Sequence, residues 1–438
     1  MKIKYFSTIT FALAFLSVCS FFLGFYFDEN SAGAGSFDGD FKNTWKNINT
    51  FLNNSVYEGI LLTASGDPSV YKSSRTPLIY ILNSLLNPFA TEKLSFINSI
   101  FVLSLSIPIF FYILLKINLV EINKNLIFLI TSLVFLSPYF RTSSYWAGEE
   151  NYGLITTILS LIFLKLIFYS EQIKTNKKIP YYFLLIFFSS TCVYFDQKLL
   201  IIPIICFINI LLQEKSMNFK IFSFLFYLFL SLPFIYLIFL WKNIIPNVDV
   251  DTRYVGSSFN WMHPGYVISI LSFYIFPLIF FKKRNILVII KDLFESKLNK
   301  YLSLFFVIYL VYLFFLNDYS FSHYNTGRGI TYKVASLLFE NLIVQEIFTY
   351  FIFLVCFFIL LIFFDENKKG LLIISFFIIS SILITPIYHE YYDPILLILV
   401  FSLFNKNFEI NNVSILSLYF YNLMILISAN VYYKSLIT

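Results

Sequence analysis

The chain has 438 residues, of which 58% are hydrophobic and only 13% charged, with a net charge of +6. Soluble domains carry roughly 25% charged and 45–50% apolar residues, so this composition excludes an ordinary soluble fold. Nothing in it points to nucleic acid as a partner.

The excess lies in long apolar blocks such as Ile221 to Trp241, Phe348 to Phe364 and Leu371 to Tyr388. Blocks of this length cross a hydrocarbon core of about 30 Å as helices. A lipid-facing segment has to satisfy its own backbone hydrogen bonds, and continuously apolar runs do so as helices rather than as alternating β-barrel strands. The aromatic share of 21% matches the Phe, Tyr, Ile, Asn and Lys bias of an AT-rich genome and carries no functional reading.

In chain order, Met1-Lys-Ile-Lys precedes an apolar stretch, 5–27, that is too long for a signal-peptide core and lacks a small-x-small exit. Leu16-Ser-Val-Cys19 resembles a lipoprotein box, but Val18 stands where a small residue is wanted. An uncleaved first helix is expected. Further spans are expected at 94–115, 126–139, 151–170, 181–195, 199–213, 221–241, 266–281, 301–316, 347–364, 371–387, 395–404 and 413–433. The result is an all-α, polytopic transmembrane bundle of about 11–13 spans, forming one transmembrane domain over 1–438. Cys19, Cys192, Cys206 and Cys356 all lie in apolar runs, so neither disulfides nor a cysteine metal site is expected.

Charge distribution orients the chain. With the N-terminus cytoplasmic, the cytoplasmic loops hold 18 of the 31 basic residues in about 64 residues. The outer loops hold 12 in about 146, a difference in density that satisfies the positive-inside rule. The outer loops also collect 17 of the 25 acidic residues. His263, His323 and His389 fall there or at the loop edges, as do all four tryptophans. The expected location is an integral membrane protein of a bacterial cytoplasmic membrane with its active face outside.

The longest non-spanning stretch is the first outer loop, 28–93. Within it, 40–53 places Phe41, Trp45, Ile48, Phe51 and Leu52 at helical spacing with Lys42, Lys46 and Asn49 off the stripe, an amphipathic interfacial helix. The segment 76–86 reads similarly.

Six clusters can carry chemistry. The loop opens with Asp28, Glu29, Asp38 and Asp40, separated by Gly33, Gly35 and Gly39 that permit a tight path. Clustered carboxylates raise one another's pKa, which suits a general base, or bind a divalent cation such as Mg or Mn together with a phosphate. The plainer reading is a solvated acidic turn with Asp38 or Asp40 as N-cap. Arg75 precedes Pro77 at a helix start, a good phosphate ligand or a snorkelling side chain. Ser137-Pro-Tyr-Phe-Arg-Thr-Ser-Ser-Tyr-Trp-Ala-Gly-Glu-Glu-Asn151, the second outer loop, brings Arg141, Glu149 and Glu150, the acids starting a span where the helix dipole favours them. Tyr194-Phe-Asp-Gln-Lys198 packs Asp196 and Lys198 into a short turn, as an ion pair or as functional groups. Arg328 lies between Gly327 and Gly329, where guanidinium and backbone N–H groups can meet one anion. His389, Glu390 and Asp393 crowd a late turn, where His389 can bind phosphate or metal, or anchor at the interface.

These residues together resemble the GT-C glycosyltransferases. Phe27-Asp28-Glu29 looks like the acidic pair in the first loop of protein mannosyltransferases. Glu29 to Ala34, followed by Asp40-Phe41, is similar to the Ser-Gly-Gly-Ala…Asp-Phe pattern of bacterial GT-C-like proteins. Arg75-Thr-Pro-Leu-Ile-Tyr-Ile81 stands where those show H-x-P-L-F-Y-I, with Arg75 in place of His. Asp196 occupies the place of an Arg in related glucosyltransferases, and Tyr388 to Pro394 resembles their late Q-K-Y-F-E-P segment. The resemblance implies an inverting transfer of a sugar from a polyprenyl phosphate to a glycan, lipid or protein acceptor at the bilayer surface. It implies Asp40, then Asp38, as base, with Glu29 and Asp28 supporting. Arg75, Arg141, Lys198, Arg328 and His389, flanked by Glu149, Glu150 and Glu390, would meet the leaving phosphate. Two other classes are carried alongside. A surface-polysaccharide polymerase or ligase would lean on Arg253 and Arg328. A transporter or flippase would want ionisable residues in mid-span, where only Lys165 stands.

Overall fold

A computed structural model describes residues 2–32, 36–65, 76–119, 122–169, 178–241, 260–316, 329–365, 367–383, 387–404 and 408–437. Among the described residues there are helices but no strand, the one extended pairing being an isolated antiparallel bridge between Lys282 and Phe408. Among the described residues, nine helices are long and apolar enough to cross a membrane, or up to ten if one bent pair is a single span. Several of the other expected spans are interrupted locally. At 126–139 the helix stops before Ser137-Pro138, and the next helix leaves at 64°. The apolar helix covering 199–213 runs only from Gln197 to Gln213. At 371–387 the helix ends at Ser380 after 13 residues, and at 395–404 the last turn is a π-helix, Val400–Phe404.

The chain divides into two compact units, Met1–Asp249 with Tyr419–Thr438, and Val250–Leu418. The first contains α1 (Lys2–Tyr26), α2 (Ser36–Asn53), α3 (Val56–Ser65), α4 (Leu78–Leu86), α5 (Lys93–Ser104), α6 (Ser106–Asn118), α7 (Lys124–Ser132), α8 (Pro138–Tyr145), α9 (Glu150–Tyr169), α10 (Lys178–Phe195), α11 (Ile201–Gln213) and α12 (Met217–Trp241). The second contains α13 (His263–Ile275), α14 (Ile286–Glu295), α15 (Lys297–Leu316), α16 (Gly329–Leu338), α17 (Leu342–Phe364), α18 (Lys368–Ser380) and α19 (Ile395–Leu399). The last helix, α20 (Asn412–Ile437), starts in the second unit and continues into the first.

Each unit is built around one enclosed span. In the first it is Glu150–Phe168, 67% buried, and in the second His263–Phe281, 78% buried. Met217–Trp241 and Lys297–Phe315 are each 11% buried and present their apolar surface to lipid. Two glycines permit close approaches. A Cβ on Gly153 would lie 2.7 Å from Leu199 Cδ1, and one on Gly265 would lie 2.2 Å from ring carbons of Phe353, itself fully buried. Phe21 is the aromatic centre of the first unit, with ring centroids of Phe135, Phe101, Phe140 and Tyr145 at 5.1, 5.2, 5.3 and 5.3 Å.

Polar residues set the helix ends. Asn123, Asn285, Asn341 and Asn367 each accept a backbone N–H from the first turn that follows, the preferred N-cap chemistry. Ser55 and Glu58 form a reciprocal capping box on α3, with Glu58 accepting from Ser55 N at 3.1 Å and Oγ at 2.8 Å. These hydrogen bonds hold the Glu58 carboxyl below the usual carboxylate range. In α12, Pro233 interrupts the helix. The Tyr194 hydroxyl enters the ladder there, accepting from Phe234 N at 3.2 Å and donating to Leu230 O at 2.6 Å, so a side chain bridges this pair of backbone groups.

Because Phe353 has no room to retreat, Gly265→Ala should lower the unfolding temperature of the purified protein, by the equivalent of about 1–3 kcal/mol. Phe353→Leu in the same chain should restore part of the loss. Unaltered stability in the single variant would contradict this packing.

Candidate functional site

The first-loop end of the first unit is held by a buried ion pair. α1 ends in a Schellman-type cap: Glu29 N donates to Gly24 O at 2.9 Å, and Asp28 takes the left-handed conformation, φ 51°. Asp tolerates this region better than most residues. Asp28 is thus the exposed terminator of α1, and its turn aims Glu29 back at the protein.

Arg141 meets Glu29 there. Arg141 is on α8, which begins with Pro138 at its first position and with Ser137 Oγ accepting from Phe140 N. Arg141 Nε donates to Glu29 Oε1 and Oε2 at 2.9 and 3.1 Å, and Nη2 also bonds Oε2. Nη1 donates to Ser20 Oγ at 3.2 Å and Phe135 O at 3.0 Å, and Nη2 to Ser20 O at 2.7 Å. The five N–H groups of a guanidinium are therefore all directed at protein acceptors. Asn430 of α20 donates to Glu29 Oε1 at 3.1 Å, and Tyr145 OH donates to Phe21 O at 2.7 Å. The expectation that Arg141 meets a phosphate and that Glu29 supports a base or a metal is corrected. With side chains only 3% and 13% exposed, the two groups neutralise each other and lock α1, α8 and α20 together.

The second outer loop is also corrected. Residues 138–145 form a buried helix and not an exposed loop. α8 ends in another Schellman-type cap, with Gly148 N donating to Ser143 O at 2.7 Å and Ala147 at φ 52°. The chain then enters α9 with Glu149, Glu150 and Asn151 at 5, 8 and 0% exposure. Ser143 Oγ donates to Glu150 Oε2 at 3.5 Å, and Asn151 Nδ2 to Ser144 Oγ at 3.2 Å. Both carboxylates stand at the positive end of the α9 dipole.

The α10–α11 turn lies against the same start of α9. A Cβ on Gly153 would come within 3.5 Å of Asp196 Cβ, and the rings of Tyr152 and Phe195 are 5.3 Å apart. Asp196 and Lys198 are ion-paired at 3.4 Å, and the Asp196 carboxylate accepts from Lys198 N at 3.1 Å. The ion-pair reading of this turn is the observed one. Lys198 remains 22% exposed in its side chain. Thr76 Oγ1 bonds Tyr194 O, bringing the residue after Arg75 to this turn. Tyr152 OH completes the group by donating to Asn83 Oδ1 of α4 at 3.0 Å. The chemistry gathered here is two buried carboxylates, a carboxylate–ammonium pair, and mutually hydrogen-bonded amide and hydroxyl groups.

Asp38 and Asp40 lie in the first turns of α2, which starts at Ser36, so neither is the N-cap. Their side chains, like Arg75, Arg328 and the side chain of Glu390, lie outside what is described. The α2 stripe is as expected, with Phe41, Ile48 and Phe51 at 1, 0 and 4% exposure. In the second unit, His389 Nε2 accepts the Ile330 N–H at 2.9 Å at the start of α16, and the ring lies edge-on to Phe273. Burial, with the Lys333 charge, pushes its pKa down to about 4. A neutral ring whose Nε2 is already taken is a cap, which corrects the expectation of a phosphate or metal ligand. Among the described residues no three His, Cys, Asp or Glu side chains come together as a metal site. Sequence reasoning missed Asn151, Tyr152, Asn83, Ser20 and Asn430. Only Asn430, a lone amide in an apolar run, carried a signal for it.

No family model, no curated protein and no solved structure matches the chain.

A Cβ on Gly24 would collide with Glu29 Oε2, Arg141 Nη2 and Tyr145 OH together. Gly24→Ala should therefore lower the unfolding temperature in detergent, by the equivalent of about 1–3 kcal/mol. An unchanged transition would contradict the pairing described.

Proposed function

We propose that this chain is a membrane glycosyltransferase. It moves a sugar from a polyprenyl-phosphate donor to a hydroxyl of a glycan, lipid or protein on the extracytoplasmic face. The donor tail needs a bilayer, and nine apolar helices among the described residues support the membrane setting. The observation that carries the reading is how the acidic first-loop stretch is held at both ends. Ser31, 1% exposed, donates to Pro138 O of α8 at 3.0 Å. Phe41 stacks with Trp45 and lies 6.4 Å from Phe96 of α5. Asp38 and Asp40 fall between these two points, and α8 leads directly into Glu149, Glu150 and Asn151. General-base chemistry requires a carboxylate within hydrogen-bond reach of the proton it removes.

In the proposed reaction Asp40 takes the acceptor hydroxyl proton. The freed oxygen lone pair attacks the sugar C1, and the C1–O bond to phosphate breaks with inversion. The leaving polyprenyl phosphate carries the electron pair and its negative charge. Arg75 and Lys198, in the same unit as Asp40, are the proposed cations for that charge; Arg141 and His389 are withdrawn from the set. Asp38 is the second choice of base. A divalent cation such as Mg or Mn would act by drawing phosphate charge to first-loop carboxylates.

The test compares envelope glycans of cells carrying the wild-type chain or Asp40→Asn, with protein levels measured in the membrane fraction. Loss of the chain-dependent glycan by about 10²–10⁴-fold in rate at equal protein is expected. Near-normal transfer would overturn the assignment of Asp40.

A further inference from the structure

α14, at ten residues, is too short to span, and it joins two spans, His263–Phe281 and Lys297–Phe315. Ile289 and Leu293 bury one edge of its apolar arc. At 100° per residue, Ile286, Ile290, Phe294 and Leu287 continue that arc outward. Leu287 is 74% exposed and Phe294 57%. A shoulder of this kind is what an in-plane interfacial helix lays against acyl chains.

Charge identifies the polar side of the contact. Residues 282–300 hold six basic residues and two acidic ones. Arg284 is engaged with Asp292 and Asp365, and Lys282 lies 5.6 Å from the Phe363 ring centroid. The remaining four, Lys283, Lys291, Lys297 and Lys300, are exposed. Lys291 has Glu295 at 4.0 Å, with both side chains more than half exposed, a pair of little worth in water. Lys291 follows Leu287 around the helix, so its ammonium stands at the border of the apolar shoulder. Lys297 and Lys300 begin α15, whose span window is only 11% buried. The four ammonium groups thus flank apolar surface continuous with a lipid-facing span.

We infer that α14 with Lys283, Lys291, Lys297 and Lys300 is a docking surface for anionic phospholipid headgroups, the shoulder of Leu287 and Phe294 resting on the acyl chains. Each lysine near an anionic surface contributes attraction that a zwitterionic headgroup does not supply, and long stems let the ammonium groups reach the phosphates. The inference is independent of the proposed glycosyl transfer.

The full chain is equilibrated in vesicles of equimolar phosphatidylglycerol and phosphatidylcholine, extracted gently, and its retained lipids are weighed by native mass spectrometry. The wild type is expected to retain phosphatidylglycerol several-fold over phosphatidylcholine. Combined Lys283→Gln, Lys291→Gln, Lys297→Gln and Lys300→Gln should bring the ratio near one. Lys42→Gln with Lys46→Gln on α2 should leave it unchanged. Extraction of the wild type at about 1 M salt, where the Debye length is about 3 Å, should also erase the preference, which tests the idea without any variant. A wild type without preference, a preference that survives the four substitutions, or one that depends instead on Lys42 and Lys46 would overturn the assignment.

Discussion

Arg141 and Glu29 form a charge pair taken out of water, and the first-loop end of the first unit depends on it. Desolvating either ion alone costs several kcal/mol. The structure offsets that cost by directing every guanidinium N–H at an acceptor and by giving Glu29 a further donor, Asn430. The bonds run to α1, to the turn before α8 and to α20, three elements far apart in the chain. Apolar helices sliding on one another have no strong preference for register; a pair with this many directed bonds has one. The same joint fixes where the chain leaves α1, and so where the acidic stretch begins.

A second constraint is how polar backbone and side chains are satisfied where helices break. The turn at Ser137-Pro138, the left-handed residues Asp28 and Ala147, and the Tyr194 hydroxyl inside the α12 ladder all keep backbone groups paired. These breaks occur beside the carboxylates Glu149, Glu150 and Asp196, or just before the acidic loop. Unbroken spans of the first unit, such as α12 before Pro233, carry chiefly apolar contacts. Chemistry in this chain gathers where helices end, because there backbone dipoles and short turns can hold a charge close to apolar surface.

Much of the scaffold was legible in the sequence. Eight interior or C-terminal spans follow from apolar length, and the α2 stripe from helical periodicity, with Lys42 and Lys46 exposed as their spacing requires. Asp196 and Lys198 are close in the chain, and local proximity was enough to suggest their ion pair. Several expected spans are interrupted because hydropathy cannot see a Pro break or a 3-10 or π ending, as at 126–139, 371–387 and 395–404. α8 was misread because Arg141, Thr142, Ser143 and Ser144 look like a loop; their burial follows from partners on α1 and α9 that no local pattern announces. Asn47, fully buried on α2, breaks the stripe that periodicity drew. The roles of Arg141 and Glu29 were misassigned for the same reason: 112 positions separate them, and each alone resembles a ligand.

Glu29 and Arg141 act as one structural unit. A double-mutant cycle on unfolding in detergent, with Glu29→Gln, Arg141→Met and the two combined, measures this directly. Each single change should cost about 3–5 kcal/mol by stranding a buried charge. The double variant should cost about 1–3 kcal/mol less than the sum of the two single changes, the coupling energy of a pair in direct contact. Additive losses, with coupling within about 0.5 kcal/mol of zero, would show that the two residues act separately and would contradict the account.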